Sequence, residues 1–318
     1  MIGGDSPALL VVLGPTAAGK TDLAIRLARE LDGEVVSADS MQVYRRFDVG
    51  TAKPTVEERL GVPHHLIDVA QPDEQFSAAR FVELADRAIA QIHARGRRAV
   101  VAGGTGLYVK ALLHGLFDAP PPDPDIRGRL RTIRDREGLA VLRDLLRRVD
   151  PEAANRIGAQ DFVRICRALE VFEQTGRSIS ELQAEHRFRG QRHASVVLGL
   201  CPERTVLRER IDLRVDLMMS RGWLQEVRQL MAMGLEHAPP MGALGYRQLR
   251  AHLQGELDLE QALRQTRRDT WRFAKRQLSW FRAVPSATWF ERGEDVQTKW
   301  VARHLGCVEQ GEPLGTDP

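Results

Sequence analysis

Leu9-Leu10-Val11-Val12-Leu13-Gly14-Pro15-Thr16-Ala17-Ala18-Gly19-Lys20-Thr21 runs five apolar residues into a glycine turn that a lysine and a threonine close. The spacing from Gly14 to Gly19-Lys20-Thr21 fits G-x-x-x-x-G-K-[ST], the phosphate-cradling P-loop. Leu9 to Leu13 suits a parallel strand buried on both faces. Asp22 to Arg29 carries apolar residues at 23, 24, 27 and 28, the spacing of a helix with one buried side. Glycines let consecutive N–H groups converge on one anion, and the helix start adds the positive end of its dipole. Lys20 adds a full charge, and the Thr21 hydroxyl is of the type that binds Mg²⁺ beside a phosphate. Gly14, Pro15, Thr16, Ala17, Ala18, Gly19, Lys20 and Thr21 are therefore the predicted diphosphate or nucleotide site, with ATP as the first ligand to consider. The motif promises a bound phosphate and does not say whether a phosphoryl group is transferred.

Working outward, Gly33 to Asp39 reads as a second short strand that ends on an aspartate. In a doubly wound parallel sheet, ligands sit at the carboxyl ends of the strands, so Asp39 is predicted to face the same crevice as the glycine turn. The competing reading is a turn or cap aspartate before Ser40. Asp48-Val49-Gly50-Thr51-Ala52-Lys53-Pro54 reads as a loop. His64 and His65 are adjacent on a strand and point to opposite faces, which argues against a shared metal. Residues 76–95 form an amphipathic helix. Arg98 to Ala102 is another buried strand, opening into Gly103-Gly104-Thr105-Gly106. Thr105 there can bond a phosphate oxygen or the attacking group, or simply occupy a flexible turn.

The composition shifts at Asp118-Ala119-Pro120-Pro121-Pro122-Asp123-Pro124-Asp125, where four prolines in eight residues make a stiff hinge. Helical patterning follows to about residue 186, densely basic from Arg127 to Arg136. Ser195 to Leu200 returns as a strand. The fold class is thus α/β, a P-loop NTPase-like parallel sheet core over 1–117 and 194–308, with an inserted all-helical domain over 118–193. Residues 309–318 read as a disordered tail. Further on, Arg210 and Arg214 share one helical face. Met241 to Arg247 reads as a loop, and Ala287 to Phe290 as an edge strand. The helix around 261–282 interleaves Arg264, Arg267, Arg268, Arg272, Lys275, Arg276 and Arg282 with Trp271, Phe273, Trp280 and Phe281. Such a face suits a phosphate backbone with unstacked bases, or equally a solvated basic side opposite a packed aromatic one.

The 318 residues, 43% hydrophobic and 28% charged, are those of a globular protein with a sizeable core. Lys and Arg exceed Asp and Glu by 46 to 43, a net charge of only +3, so any nucleic-acid binding must come from local clustering. Cys166, Cys201 and Cys307 have no metal-ligand or disulfide spacing, which points to a reducing cytoplasm. No apolar run is long enough for a signal peptide or a membrane span.

Five segments, in this order, resemble the tRNA dimethylallyltransferases, also called tRNA isopentenyltransferases. They are Gly14 to Thr21, Asp39-Ser40-Met41-Gln42-Val43-Tyr44, Asp48 to Pro54, Gly103-Gly104-Thr105-Gly106-Leu107-Tyr108, and Ala274-Lys275-Arg276-Gln277-Leu278-Ser279-Trp280-Phe281-Arg282. Phe273 and Ser279 stand where tyrosine and threonine are frequent in the family. The resemblance implies transfer of a dimethylallyl group from dimethylallyl diphosphate, with Mg²⁺, to N6 of adenine 37 in the anticodon stem-loop of tRNAs that read codons starting with U. It implies Asp39 as general base, Thr105 at the reaction centre and Arg214 on the diphosphate. It places Asp39, Ser40, Met41, Gln42, Thr105, Arg127, Val163, Arg164, Ile165, Cys166, Arg167, Gly242, Ala243, Leu244, Gly245, Tyr246, Arg247, Arg272, Lys275 and Arg276 against tRNA. It also implies a cytoplasmic monomer. Two other readings stay open on the residues alone: a P-loop kinase of a small metabolite, and a nucleotide-gated RNA-binding protein without catalysis.

Overall fold

A computed structural model describes residues 7–186, 190–282, 284 and 286–312. These divide into two compact units, one of residues 1–113 and 192–318, the other of 114–191. In chain order the first unit opens with β1 (Leu9–Leu13), α1 (Lys20–Glu30), β2 (Gly33–Ser37), β3 (His64–His65), α2 (Ala78–Ala94), β4 (Arg98–Ala102) and α3 (Gly106–His114). The helical unit contains α4 (Pro124–Glu137), α5 (Leu139–Val149), α6 (Pro151–Arg156), α7 (Phe162–Thr175) and α8 (Ile179–His186). The first unit then resumes with β5 (Ser195–Leu200), α9 (Arg204–Ser220), α10 (Trp223–Ala232), α11 (Tyr246–Leu253), α12 (Leu259–Phe281), β6 (Ala287–Phe290) and α13 (Thr298–Gln310).

The six strands form one sheet in the order β3-β2-β4-β1-β5-β6, and every pairing is parallel. β1 lies inside the sheet, with Leu10 opposite Val100 on one side and Val196 on the other. Its alternate side chains leave for different cores. Leu9, Val11 and Leu13 pack with Phe81, Ile89 and Ile92 of α2 and with Tyr108 and Leu112 of α3. Leu10 and Val12 pack with Leu23 and Leu27 of α1 and with Val301 and Leu305 of α13. Burial on both faces is the reason the strand is a continuous apolar run rather than an alternating one. β6 is the edge strand expected from Ala287 to Phe290.

The helical unit has its own core of Leu130, Leu142, Leu146, Ile165, Leu169 and Val171. Asp150 caps α6 by accepting the Ala153 N–H at 2.9 Å, and α7 stops at Gly176 in the left-handed conformation. The unit begins at His114, where α3 ends, rather than at the prolines after Asp118, and closes at Gln191 rather than His193. The expected tail from 309 needs correction too. Glu309 and Gln310 are the last residues of α13, and the Glu309 carboxylate takes the Ala8 N–H at 3.0 Å and pairs with Arg98. Residues 313–318 lie outside the described residues. Among the described residues, no helix is long and apolar enough to cross a membrane.

His64 and His65 take different partners. His64 Nδ1 meets the Val62 carbonyl at 2.9 Å, whereas His65 Nε2 meets Glu34 at 2.6 Å. Glu34 is 2% exposed and also binds Arg95 at 2.7 and 3.1 Å and Arg97 at 3.2 Å. Burial alone would raise its pKa, but the Arg95 and His65 hydrogen bonds outweigh it and hold the carboxyl down at about 2. A depressed carboxylate contributes stability that is present above its unfolded pKa and is lost as pH falls towards the folded one. Glu34→Gln should therefore cost about 1–3 kcal/mol at pH 7. That gap should close between pH 4.5 and about 2, as read by urea unfolding at stepped pH.

Candidate active site

The loop after β1 reverses through Ala17 at φ 63° and Gly19 at φ 89°, both left-handed. That turn brings α1 in at Lys20 with no side chain capping its first amides, so they stay available to an anion. Lys20 Nζ donates to the Pro15 carbonyl at 2.7 Å and so lies folded over its own loop.

β2 and β4 deliver the other two chemical groups. The Asp39 Oδ1 accepts the Met41 N–H at 2.8 Å and the Gln42 N–H at 3.3 Å. The turn-aspartate reading is thus true of one oxygen. The other makes no hydrogen bond to the described residues, and Asp39 lines the cleft. Thr105 Oγ1 accepts the Ser40 N–H at 2.9 Å, which ties the two loops together and leaves the hydroxyl hydrogen free to donate. Gly103 allows this: a Cβ there would stand 2.1 Å from the Ala38 carbonyl oxygen.

All these groups open into one cleft of about 1670 Å³. α9 contributes Arg210 and Arg214, one turn apart. Neither makes an ion pair with the described residues, and an Arg210 nitrogen lies 3.9 Å from where a Gly19 Cβ would be. Burial lowers the Arg214 pKa below the usual arginine range, with Asp39 and Asp22 opposing. Burial, reinforced by Arg214 and opposed by Asp39, lowers Lys20 to about 8. Unneutralised cations around a glycine turn make a site that an oligoanion relieves.

The opposite wall is the 48–55 loop, fixed by residues far along the chain. Glu226 on α10 accepts the N–H groups of Asp48, Val49 and Gly50 at 2.8, 2.7 and 3.2 Å. Its carboxylate also takes the Tyr246 hydroxyl at 2.6 Å, and burial against this charge pushes that phenol up. Lys53, 9% exposed, is spent on Asp48 and Asp68, each at 2.7 Å, and on the Tyr44 carbonyl. Gln42 reaches from Ser37 at 3.0 Å to the Thr51 and Ala52 carbonyls at 3.4 and 3.3 Å. Gln42, Lys53 and Tyr246 thus brace the wall that they help to line.

A model of the IPP transferase family matches residues 42–284. The chain belongs to that family. Over 309 residues it is 50% identical to a tRNA dimethylallyltransferase 2 from Syntrophus aciditrophicus (strain SB), covering 97% of this chain and 98% of the relative. The crystal structure of the full-length tRNA isopentenylpyrophosphate transferase from Bacillus halodurans superposes with a TM-score of 0.69 at 39% identity, covering 96% of this chain and 99% of that one. A eukaryotic dimethylallyltransferase caught acting on tRNA superposes with a TM-score of 0.80 at 26% identity, covering 98% of this chain and 82% of that one.

In this chain the cleft gathers Thr16 to Thr21, Asp39 to Gln42, Thr105, Arg214, Gly242 to Leu244, Tyr246, Arg247, Arg272 and Arg276. Gly14, Pro15, Gly245 and Lys275 stand behind or beside its lining. Several of the expected RNA-contact residues are buried or already hold a partner within the fold. Tyr246 is 1% exposed and opens α11 instead of sitting in a loop with Arg247. In the helical unit, consecutive residues of α7 cannot share one face. Val163 and Arg164 are exposed, but Ile165 and Cys166 are core. Arg127 and Arg167 are both pinned to the fully buried Glu170, at 2.8 and 2.6 Å. On α12, Arg264 and Arg267 are taken by Glu260 and by Asp216, and Phe281 is core. Arg268 and Arg272 both pair with Asp269, at 3.3 and 3.6 Å, and like Lys275 and Arg276 they stay exposed.

Sequence reasoning left Arg210 undecided and missed Glu226. Glu226 pairs with a loop 176 to 178 residues away, and no local pattern marks such a contact. Lys20 gives a direct test of the phosphate loop. A diphosphate anion should restore its charge, so Lys20 should add a proton uptake near pH 8–9, on top of the exchange due to the ligand's own ionisation, that is absent at pH 6.5. Affinity should fall as pH rises through that range. Calorimetry in buffers of different ionisation enthalpy reads the uptake, and Lys20→Arg should abolish it. Proton uptake unchanged in that variant would remove Lys20 from the anion site.

Proposed function

We propose that this chain transfers the dimethylallyl group of dimethylallyl diphosphate to N6 of adenine 37 in tRNAs that read codons starting with U. The observation that carries the reading is the shared cleft. A carboxylate at the end of β2 faces a cationic phosphate loop at the end of β1, with Thr105 beside both. Three relatives named above are tRNA prenyltransferases by name or title. Neither a small-metabolite kinase nor an RNA-binding protein without catalysis finds support among them.

The chemistry follows from the residues. The C–O bond to the allylic carbon breaks, its electron pair leaves with the diphosphate, and the N6 lone pair forms the new C–N bond. The adenine amine is a poor nucleophile because its lone pair is delocalised into the ring. The free oxygen of Asp39 takes the N6 proton as that bond forms, a contribution of about 10²–10⁴-fold. Negative charge growing on the diphosphate meets donors already in place: the α1 amides, Lys20, Arg214 and Arg210. Thr105 can donate its hydroxyl hydrogen to the same phosphate or to the incoming base. The adenine must first leave the loop stack, at a cost of a few kcal/mol. Arg268, Arg272, Lys275 and Arg276 offer the RNA phosphates compensating contacts.

The donor set suits Mg²⁺ held chiefly by the substrate. Among the described residues no three His, Cys, Asp or Glu side chains gather as a metal site, while the Thr21 hydroxyl is exposed at the α1 start. An ion that keeps several waters and takes its remaining oxygens from a diphosphate needs little more from the protein. Bound there through Thr21, it would neutralise charge on the leaving group. The reading asks for one copy of the chain, since all the reacting groups lie in one unit, and for the cytoplasm, where tRNA is found.

Unmodified tRNA, dimethylallyl diphosphate and Mg²⁺ should yield prenylated adenosine on digestion and mass analysis. ATP consumption with a small acceptor, and no such adenosine, would overturn the proposal. Asp39→Asn keeps an oxygen for the Met41 and Gln42 amides but removes the base. It should bind tRNA normally and lose about 10²–10⁴-fold in kcat. Full activity in that variant would show that Asp39 serves only as a cap.

A further inference from the structure

α12 is buried along Ala274, Gln277 and Phe281. Two of these are the small and aromatic residues a core stripe calls for, and Gln277 is neither. It is 7% exposed, and both ends of its amide are engaged. Oε1 accepts the Thr16 N–H of the phosphate loop at 2.9 Å, and Nε2 donates to the Gly104 carbonyl of the glycine loop at 2.8 Å. The orientation is unambiguous, because a backbone N–H can only donate and a carbonyl can only accept. The fit is close: a Cβ on Gly104 would stand 2.5 Å from Nε2 and 3.8 Å from the Lys20 ammonium.

A planar amide holds its donor and acceptor at one separation. Gln277 therefore fixes the distance between the loop that receives the diphosphate and the loop that carries Thr105, which in turn holds Ser40 beside Asp39. It also withdraws the Thr16 amide from the donors an anion can use. The preceding residue, Arg276, lines the cleft from the exposed side of the same helix. We propose that Gln277 is a positioning residue that sets the leaving-group loop and the acceptor loop in joint register; this rests on the prenyl-transfer reading above. The RNA-facing helix and the diphosphate site then share one rigid link.

Gln277→Met keeps the length and removes both hydrogen bonds, which water from the cleft can replace. Steady-state transfer and tRNA binding, each normalised to folded protein, read the result. A misplacement of about 1 Å costs on the order of 10²-fold, so kcat should drop by that order while tRNA Kd stays at the wild-type value. Gln277→Glu keeps an acceptor for Thr16 but sets a carboxylate oxygen against the Gly104 carbonyl and an anion in the lining of the diphosphate cleft, so its kcat should fall at least as far, with tRNA Kd again unchanged. That second variant decides the matter if Gln277→Met does not fold. Wild-type kcat in the variants, or weakened tRNA binding with kcat at saturation unchanged, would overturn the proposal. Its failure differs from that of the functional reading: there, the wild-type protein itself would form no prenylated adenosine.

Discussion

The site depends on a backbone contact between two strand ends. Ala38, just past β2, donates to the Ala102 carbonyl at 2.8 Å and accepts the Thr105 N–H at 3.2 Å. Gly103 between them donates to Val12 of β1 at 3.3 Å, and it has no room for any side chain. Three strands thus end at one point, and each releases a chemical group there: the phosphate loop, Asp39 and Thr105. A single Cβ at Gly103 would part β2 from β4 and carry the carboxylate away from the hydroxyl. The parallel sheet matters here because it places all its carboxyl ends on the same side.

Charge is treated in two ways in this molecule, and the contrast separates scaffold from site. Glu34, Lys53, Glu170 and Glu226 are all matched by specific partners that satisfy their hydrogen-bonding capacity. Each is answered within the fold and asks for nothing from outside. Lys20 and Arg214 crowd one another, tempered by Asp39 and, for Arg214, by Asp22 as well. Crowding like charges is unfavourable until an anion arrives, so the folded state holds in reserve an interaction that only a ligand completes.

What could be read from the sequence was what is local. An apolar run, a glycine turn and a following helix are neighbours in the chain, and they are neighbours in the sheet. Asp39 and Thr105 could be placed because strand ends in a parallel sheet share a crevice. The loop wall was illegible for the opposite reason: Glu226 and Lys53 look like ordinary surface charges until folding brings their partners to them. Helical periodicity misled where a motif was taken as a continuous surface. Ile165 and Cys166 follow the exposed Val163 and Arg164 but point inward, and Arg264 is answered by Glu260 and Arg267 by Asp216 of another helix. Gln277 had a faint local sign, a polar residue in an apolar stripe, but only the folded chain shows what it reaches, 261 residues away.

Asp39 shows why the cap and the base need not compete. A general base works only when its lone pair is aimed, and a free carboxylate on a short side chain rotates. Anchoring Oδ1 on two backbone amides fixes the plane of the group, so the cap is what aims the other oxygen. The same logic recasts the phosphate loop. In a kinase the loop must hold a phosphoryl group that is itself attacked. In the proposed transfer the nucleophile's base, Asp39, stands at a different strand end, and the loop need only hold the group that departs. The bond that breaks is then carbon–oxygen, and the loop's task is to make a diphosphate a better anion rather than a better electrophile.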